Sequence, residues 1–324
     1  MKLSVVIPVY NSVASLAELL RALGESDPCD HEVIVVDDGS TDGSAAAAEA
    51  LGARVIRLPK NSGPATARNA GVRAAAGEVI LFLDADVKPP PSLMAHAARR
   101  LAEEPELVAL NGYYSPVPLN PGFFPSFKAR YIHFLFSGKD DTQVLETCCA
   151  AVRKRVILEV GGFDESYRGA DVEDYELGYR ISALGPMKID HAMVVGHNFP
   201  GFFSNARKFW RRSAMWTELL LARRRFDSAG TTASEGVQQV LGALAAVFLL
   251  ASPLAPRLLA PVFVALFGGY LFGSRHFFRY LYQEEGAGFA AAGIVVHWAN
   301  SVVIVSGAAF GLIQYGVKRM SRAT

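Results

Sequence analysis

The chain has 324 residues, room for one large domain with additions or for two modest ones. Thirty-two Lys and Arg against 31 Asp and Glu leave a net charge of +1, which excludes an overall electrostatic case for nucleic acid as a partner. A hydrophobic fraction of 51% and a mean hydropathy of +0.22 are high for a soluble protein, but the excess is uneven: residues 1–235 hold nearly all the acidic groups, and from Val237 onward the chain turns Ala-, Val-, Leu- and Phe-rich.

Leu3–Ile7 is a β-branched run of the kind that forms a buried parallel strand, and it ends at Pro8. As an opening it is too short for a signal peptide, so the bulk of the chain is expected in the cytoplasm. Asn11 or Ser12 can cap a helix carrying Leu16, Leu19, Leu20 and Leu23. A second strand, Glu32–Val36, runs into Asp37-Asp38-Gly39-Ser40-Thr41-Asp42. An alanine-rich helix, a third strand at Arg54–Leu58, a helix over 63–76 and a fourth strand at Val79–Leu83 follow, the last ending at Asp84-Ala85-Asp86. This alternation predicts an α/β fold with a doubly wound, mainly parallel sheet, whose ligand lies beyond the carboxyl ends of the strands. Residues 105–170 are less periodic, with strands expected around Val108–Tyr113 and Cys148–Val152, and they read as the acceptor half of the domain. Cys29, Cys148 and Cys149 lack metal-site spacing and suit a reducing compartment.

The polar clusters sit where such a sheet places its ligand. Asp84 and Asp86 offer hard oxygen ligands suited to Mg²⁺ or Mn²⁺, which a diphosphate leaving group needs to absorb its developing charge. A solvated turn is the plainer reading of such a triplet alone, but its place directly after the apolar strand Val79–Leu83 favours the ligand reading. Asp37 and Asp38 can accept hydrogen bonds from a nucleobase or ribose, beyond what capping the next helix requires. The small residues of Asn61–Gly71 open a helix whose N-terminus attracts phosphate, with Arg68 adding a charge, or they pack that helix tightly on the sheet. If residues 172–184 form a helix, Asp174 lies in its first turn, where the dipole favours the ionised form of a general base. Glu173 and Glu176 read there as solvated acids, with Glu176–Arg180 an i,i+4 pair.

Together, Val5-Val6-Ile7-Pro8-Val9-Tyr10-Asn11, Val36–Asp42, Gly63 to Gly71, Asp84-Ala85-Asp86, and Gly162-Phe163-Asp164-Glu165 with Glu173-Asp174 resemble the family 2 glycosyltransferases of GT-A fold over roughly residues 3–200. The resemblance implies that Pro8, Tyr10 and Asp38 border the base and ribose of a nucleotide sugar, UDP before GDP. It implies that Asp84 meets nucleotide and metal, that Asp86 ligates the metal, and that Asp174 is the base of a single inverting displacement. His197 is a further metal or diphosphate ligand on the same ground; a structural hydrogen bonder is the plainer reading. Family members often carry an acid just after the Pro-x-Tyr-Asn element, where this chain has Ser12 and Val13. Lys208-Phe209-Trp210-Arg211-Arg212 does not reproduce the Gln-x-x-Arg-Trp element of processive synthases, which points to single sugar addition.

Residues 201–235 interleave Phe202, Phe203, Phe209, Trp210 and Trp216 with Arg207, Lys208, Arg211, Arg212 and Arg223–Arg225, a pattern suited to a helix in the headgroup region. A helix packed on the catalytic domain with solvated arginines, or a nucleic-acid patch, is the alternative, and the chain that follows favours the membrane. Residues 236–324 are expected to cross the membrane two or three times. Val237–Ala251 and Leu258–Gly273 are separated by Ser252–Arg257, as a kinked span or a hairpin, and Gly286–Gly316 is the clearer span, with His297 and Asn300 inside it. Lys318, Arg319 and Arg322 favour a cytoplasmic C-terminus and thus two crossings, whereas Arg275 and Arg279 favour three. The expectation is a membrane-anchored transferase acting on a lipid or lipid-linked acceptor. A non-catalytic nucleotide-sugar-binding scaffold and a sugar nucleotidyltransferase are the alternatives.

Overall fold

The computed structural model describes residues 1–227 and 232–321; Arg322 lies outside them. Two compact units divide the chain: Met1–Pro121 with Ile132–Phe199, and Gly122–Tyr131 with Pro200–Asp227 and the described residues from 232 on. The boundary expected near residue 200 is therefore crossed earlier in the chain as well.

The first unit is built on an eight-stranded mixed sheet. Its strands are β1 (Leu3–Val9), β2 (His31–Asp37), β3 (Arg54–Arg57), β4 (Val79–Leu83), β5 (Val87–Lys88), β6 (Ala109–Tyr114), β7 (Cys149–Arg153) and β8 (Met187–His197), in spatial order β3-β2-β1-β4-β7-β6-β8-β5. The pairs β2–β3, β1–β2, β1–β4 and β6–β8 are parallel; β7 runs against β4 and β6, and β5 against β8. Both faces of β1 are covered, as its mainly apolar run predicts. Leu3, Val5, Ile7 and Val9 meet α1 (Val13–Gly24) and α4 (Leu93–Glu103), while Val6 faces the side of α3 (Pro64–Ala74), α6 (Lys154–Glu159) and α7 (Glu173–Ile181). Pro8 is tolerated in this inner strand because β1 is in register with β4 only as far as Val6.

Ser12 stands at the N-cap of α1 without a side-chain bond to the helix. The open N–H of Val13 is taken instead by Asp42 Oδ2 at 2.9 Å, and that of Ser12 by Ser44 Oγ at 3.2 Å. The start of α1 is thus held by the loop leading into α2 (Ser44–Ala50), a partner some thirty residues away. Tight packing of α3 on the sheet is also evident: a Cβ at Gly71 would lie 2.4 Å from Val6 Cγ1. Gly71→Ala is expected to cost about 1–3 kcal/mol through overpacking, read as a lower midpoint in thermal or denaturant unfolding.

The second unit is helical. α5 (Phe123–Phe136) begins in it and ends in the first unit; α8 (Phe202–Arg223), α9 (Ala233–Ala251), α10 (Pro256–Gly273) and α11 (Arg275–Ser321) complete it. Ser252–Leu254 is a single 3₁₀ turn, and α9 and α10 pack as an antiparallel hairpin, with Gln238 beside Ser274 (Oε1···Oγ 3.3 Å) and Gly242 against Tyr270. Gly286, at φ +83°, kinks α11 at the start of the apolar stretch read from sequence. Among the described residues three helices, Ala233–Leu254, Pro256–Gly273 and Arg275–Ser321, are long and apolar enough to cross a membrane.

α8 packs on α11 at backbone distance: Cβ atoms at Gly307 and Gly311 would lie 2.3 and 2.2 Å from the carbonyl oxygens of Trp210 and Ala214. Its aromatics are engaged within the unit, Phe209 under the Lys128 ammonium at 3.5 Å, Trp210 against Phe310 and Trp216 bonded to Asp227. Phe203, in edge contact with Phe202, is 86% exposed. His297 is buried with Nδ1 2.6 Å from Tyr270 Oη, between α11 and α10.

Candidate active site

The four clusters come together at the carboxyl ends of β1, β2 and β4, as the parallel half of the sheet requires. Asp38 accepts N–H bonds from Ser62 (2.7 Å, Oδ1) and Gly63 (2.8 Å, Oδ2), tying the end of β2 to the loop that opens α3. Burial raises its pKa above the usual aspartate value, with the neighbouring charge of Asp37 adding to the effect and the two N–H bonds opposing it. Asp37 accepts the N–H of Ser40 at 3.0 Å, and Tyr10, half exposed, follows β1. A cavity of about 430 Å³ opens beside Asp37, lined also by Ser40, Ser44, Arg57 and Pro59. It lies on the α2 side, and Pro8, Tyr10 and Asp38 do not line it.

Arg68 projects from α3 into a nearly closed space and joins two carboxylates distant in sequence. Its Nη2 donates to Asp84 Oδ1 at 2.9 Å and its Nη1 to Glu173 Oε1 at 3.0 Å. Burial works against the guanidinium charge, but Asp84, Glu173 and Asp174 outweigh it and raise its pKa. Glu173 is therefore no solvated first-turn acid: its side chain is 3% exposed, and Oε2 accepts the N–H of Asp171 at 2.8 Å. This is a correction to the sequence reading, and its cause is long-range, since Arg68 lies 105 residues away. Glu176 and Arg180 do pair as expected.

Asp174 occupies the first turn of α7, 8% exposed, with Oδ1 accepting the N–H of Tyr175 at 2.9 Å. The approach of α7 is set by Asn69 of α3, whose amide bonds the backbone N–H and C=O of Phe163 and the Glu165 carboxylate, each at 2.9 Å. Asn69 thereby secures the Gly162-Phe163-Asp164-Glu165 turn.

Asp86 and His197 approach each other from β4 and β8, Oδ2 to Nε2 at 3.3 Å, and the His197 ring lies 4.5 Å from that of Tyr114. His197 Nδ1 is buried without a partner. Among the described residues no three His, Cys, Asp or Glu side chains form a ready metal cage. An Asp–His pair with an adjacent carboxylate still fits a Mg²⁺ or Mn²⁺ ion that takes its remaining ligands from a diphosphate and water, as such ions usually do. Asp84 turns Oδ1 to Arg68, so Asp86 and His197 are the better placed of the three expected ligands.

Two groups at this edge were not read from sequence. Glu146, just before β7, accepts the phenol of Tyr175 at 2.8 Å, and its own N–H is held by Asn111 Oδ1 at 2.7 Å. The buried Cys148 thiol is pushed well up by burial first, then by Glu146 and Asp84; the Tyr114 phenol is likewise pushed up by burial first, then by Cys148 and the same two carboxylates.

Sheet order, mixed direction and this acidic edge define an α/β domain of the GT-A type. Residues 4–161 match the model of glycosyl transferase family 2, and this segment is a family 2 glycosyltransferase domain. The chain is 39% identical over 116 residues to the undecaprenyl-phosphate 4-deoxy-4-formamido-L-arabinose transferase of Sodalis glossinidius, covering 33% of this chain and 36% of that protein. It is 41% identical over 118 residues to the enzyme of the same name from Pseudomonas paraeruginosa, covering 32% and 34%. The match thus spans about a third of each relative's length. Among solved structures, a mannosyltransferase from Pyrobaculum calidifontis in complex with GDP-mannose and Mn²⁺ aligns over 96% of this chain and 86% of its own at 18% identity and a TM-score of 0.61. S. aureus TarS 1–349 aligns over 93% and 90% at 20% identity and a TM-score of 0.52. Both likenesses are of fold.

Proposed function

We propose that the protein is a metal-dependent, inverting glycosyltransferase that moves a sugar from a nucleoside-diphosphate sugar to a lipid or lipid-linked acceptor at the cytoplasmic face of a membrane. The observation that carries this reading is the convergence of Asp84, Asp86 and His197 with the first turn of α7, where Asp174 lies. Pro8, Tyr10, Asp37 and Asp38 border the nucleotide, and Asp38 also orders the loop that opens α3. Arg68 holds Asp84 in place rather than meeting the phosphates itself. Asp174 takes the proton of the acceptor oxygen as that oxygen attacks the anomeric carbon; the bond to the diphosphate breaks and the nucleoside diphosphate leaves. Asp86 and His197 would hold a divalent ion, which would supply charge stabilisation to that leaving group. The three apolar helices and the lipid-phosphate acceptors named for the relatives support a polyprenyl phosphate as the acceptor class.

The test uses detergent-solubilised full chain, UDP- and GDP-sugars with Mn²⁺ or Mg²⁺, and undecaprenyl phosphate as acceptor probe. Lipid-stimulated release of nucleoside diphosphate from one donor, lost with EDTA, is the expected result. Donor binding with no release, even with added lipid extract, would favour the scaffold reading. Asp86→Ala is expected to raise the half-saturating Mn²⁺ concentration about tenfold or more; an unchanged metal titration would remove Asp86 from the ligand set. A reporter at the C-terminus reads whether the number of crossings is even or odd, and an external position would rule out two.

A further inference from the structure

Glu146 carries a carboxylate to the catalytic edge from a stretch in which the sequence shows no motif. Its backbone is fixed from below by Asn111 of β6, and its side chain reaches across to Tyr175 of α7. Tyr175 follows Asp174 directly, and the two are linked a second time by the N–H of Tyr175 on Asp174 Oδ1. One hydrogen-bonded arm therefore runs from the central sheet through Asn111, Glu146 and Tyr175 to Asp174. Nothing comparable is needed merely to seat α7 on the sheet, because Leu177 and Ile181, both fully buried, already do so.

We propose that Glu146 is a positioning residue of the transfer reaction: through the Tyr175 phenol it holds the first turn of α7, and with it Asp174, at the spacing that the acceptor oxygen must bridge. The inference rests on the assignment of Asp174 as base. A small misplacement of a reacting group is enough to lower a rate by about a hundredfold. Donor binding, which uses the ends of β1 and β2, stays outside the arm.

Glu146→Ala and Tyr175→Phe are compared in the full-length, solubilised protein with donor sugar and undecaprenyl phosphate as probes. Each is expected to lower kcat about tenfold to a hundredfold, with KM for the donor unchanged. Their double variant is expected to be no worse than the poorer single one, because both break the same arm. Glu146→Gln keeps an oxygen for the Tyr175 hydroxyl and should restore kcat to within about threefold of the parent. Hydrogen exchange supplies a readout that needs no acceptor: amides of residues 173–176 should exchange faster in both variants while the global melting point is held. Unchanged exchange and turnover, losses that multiply in the double variant, or losses confined to donor KM would each overturn the proposal. Asp174→Asn is run alongside. If it is inactive while Glu146→Ala is normal, only the positioning role falls; if it remains active, the base assignment falls and this inference with it.

Discussion

Asp174→Asn is expected to fold and to bind its donor as the parent does, yet to lose about 10²- to 10⁴-fold in the rate of sugar transfer, the range over which a positioned general base acts. Asparagine keeps an oxygen for the N–H of Tyr175 that Asp174 now accepts at 2.9 Å, so the first turn of α7 has no reason to move. What is lost is proton affinity at the attacking oxygen. The carboxylate lies at the positive end of α7 and within the field of Arg68, the setting expected of a group that is to receive a proton from the acceptor. Single-turnover transfer measured beside donor affinity checks the split. A loss confined to affinity would assign Asp174 to binding instead.

Arg68→Met carries the second large effect, and its main readout is stability. The substitution keeps an unbranched chain of similar length and removes the charge between Asp84 and Glu173. Asp84 retains some access to water at 30% side-chain exposure, but Glu173 at 3% has none to speak of. Breaking one side of a buried ion pair costs about 3–5 kcal/mol, because the remaining charge keeps its desolvation penalty. The melting midpoint should fall accordingly, and transfer should fall with it as β4 and α7 lose their common tie. Adding Glu173→Gln to Arg68→Met should recover part of the loss. Two independent, additive losses would show instead that Arg68 does not connect the two carboxylates energetically.

The first half of the sheet was open to reading from sequence because each strand is a short apolar run punctuated by acidic or glycine residues. β4 falls at Val79–Leu83 as expected, and β1 and β2 exceed their expected ends by one or two residues. In the second half, the strands expected around Val108–Tyr113 and Cys148–Val152 fall at Ala109–Tyr114 and Cys149–Arg153, but their directions and the strand β8 were not legible. Nothing local distinguishes an antiparallel β7 from a parallel one, and β8 carries Lys188, Asp190 and His191 among its apolar residues, which hides its period. Asp190 is nevertheless buried there, because His96 and Arg100 of α4 meet its carboxylate at 2.9 and 3.1 Å. The 14-residue helix α5 was missed for a related reason: Pro125 and a run of aromatics obscure the helical repeat.

The site divides along the same line. Carboxylates that follow apolar strands announce themselves, as Asp84 and Asp86 do. Residues whose roles come from partners far along the chain do not. Arg68 reads as a phosphate contact until Glu173 is found beside it, Asn69 reads as a small helix residue until Phe163 is found on its amide, and Glu146 has no local signature at all.

The chain crosses between its two units within α5, and this governs how the protein can be cut. A fragment ending near residue 200 would retain the whole sheet and every group discussed around Asp174. It would also retain Phe123, Phe124, Phe127 and Tyr131, which belong to the helical unit and find Phe289, Phe202, Phe277 and His297 there. Stripped of those partners, four large aromatic rings would face solvent on a single helix, an adhesive patch on the sheet unit. Expression of the sheet unit alone should therefore yield aggregates unless the segment Gly122–Tyr131 is replaced by a short polar connection, a change that touches none of the residues assigned to chemistry.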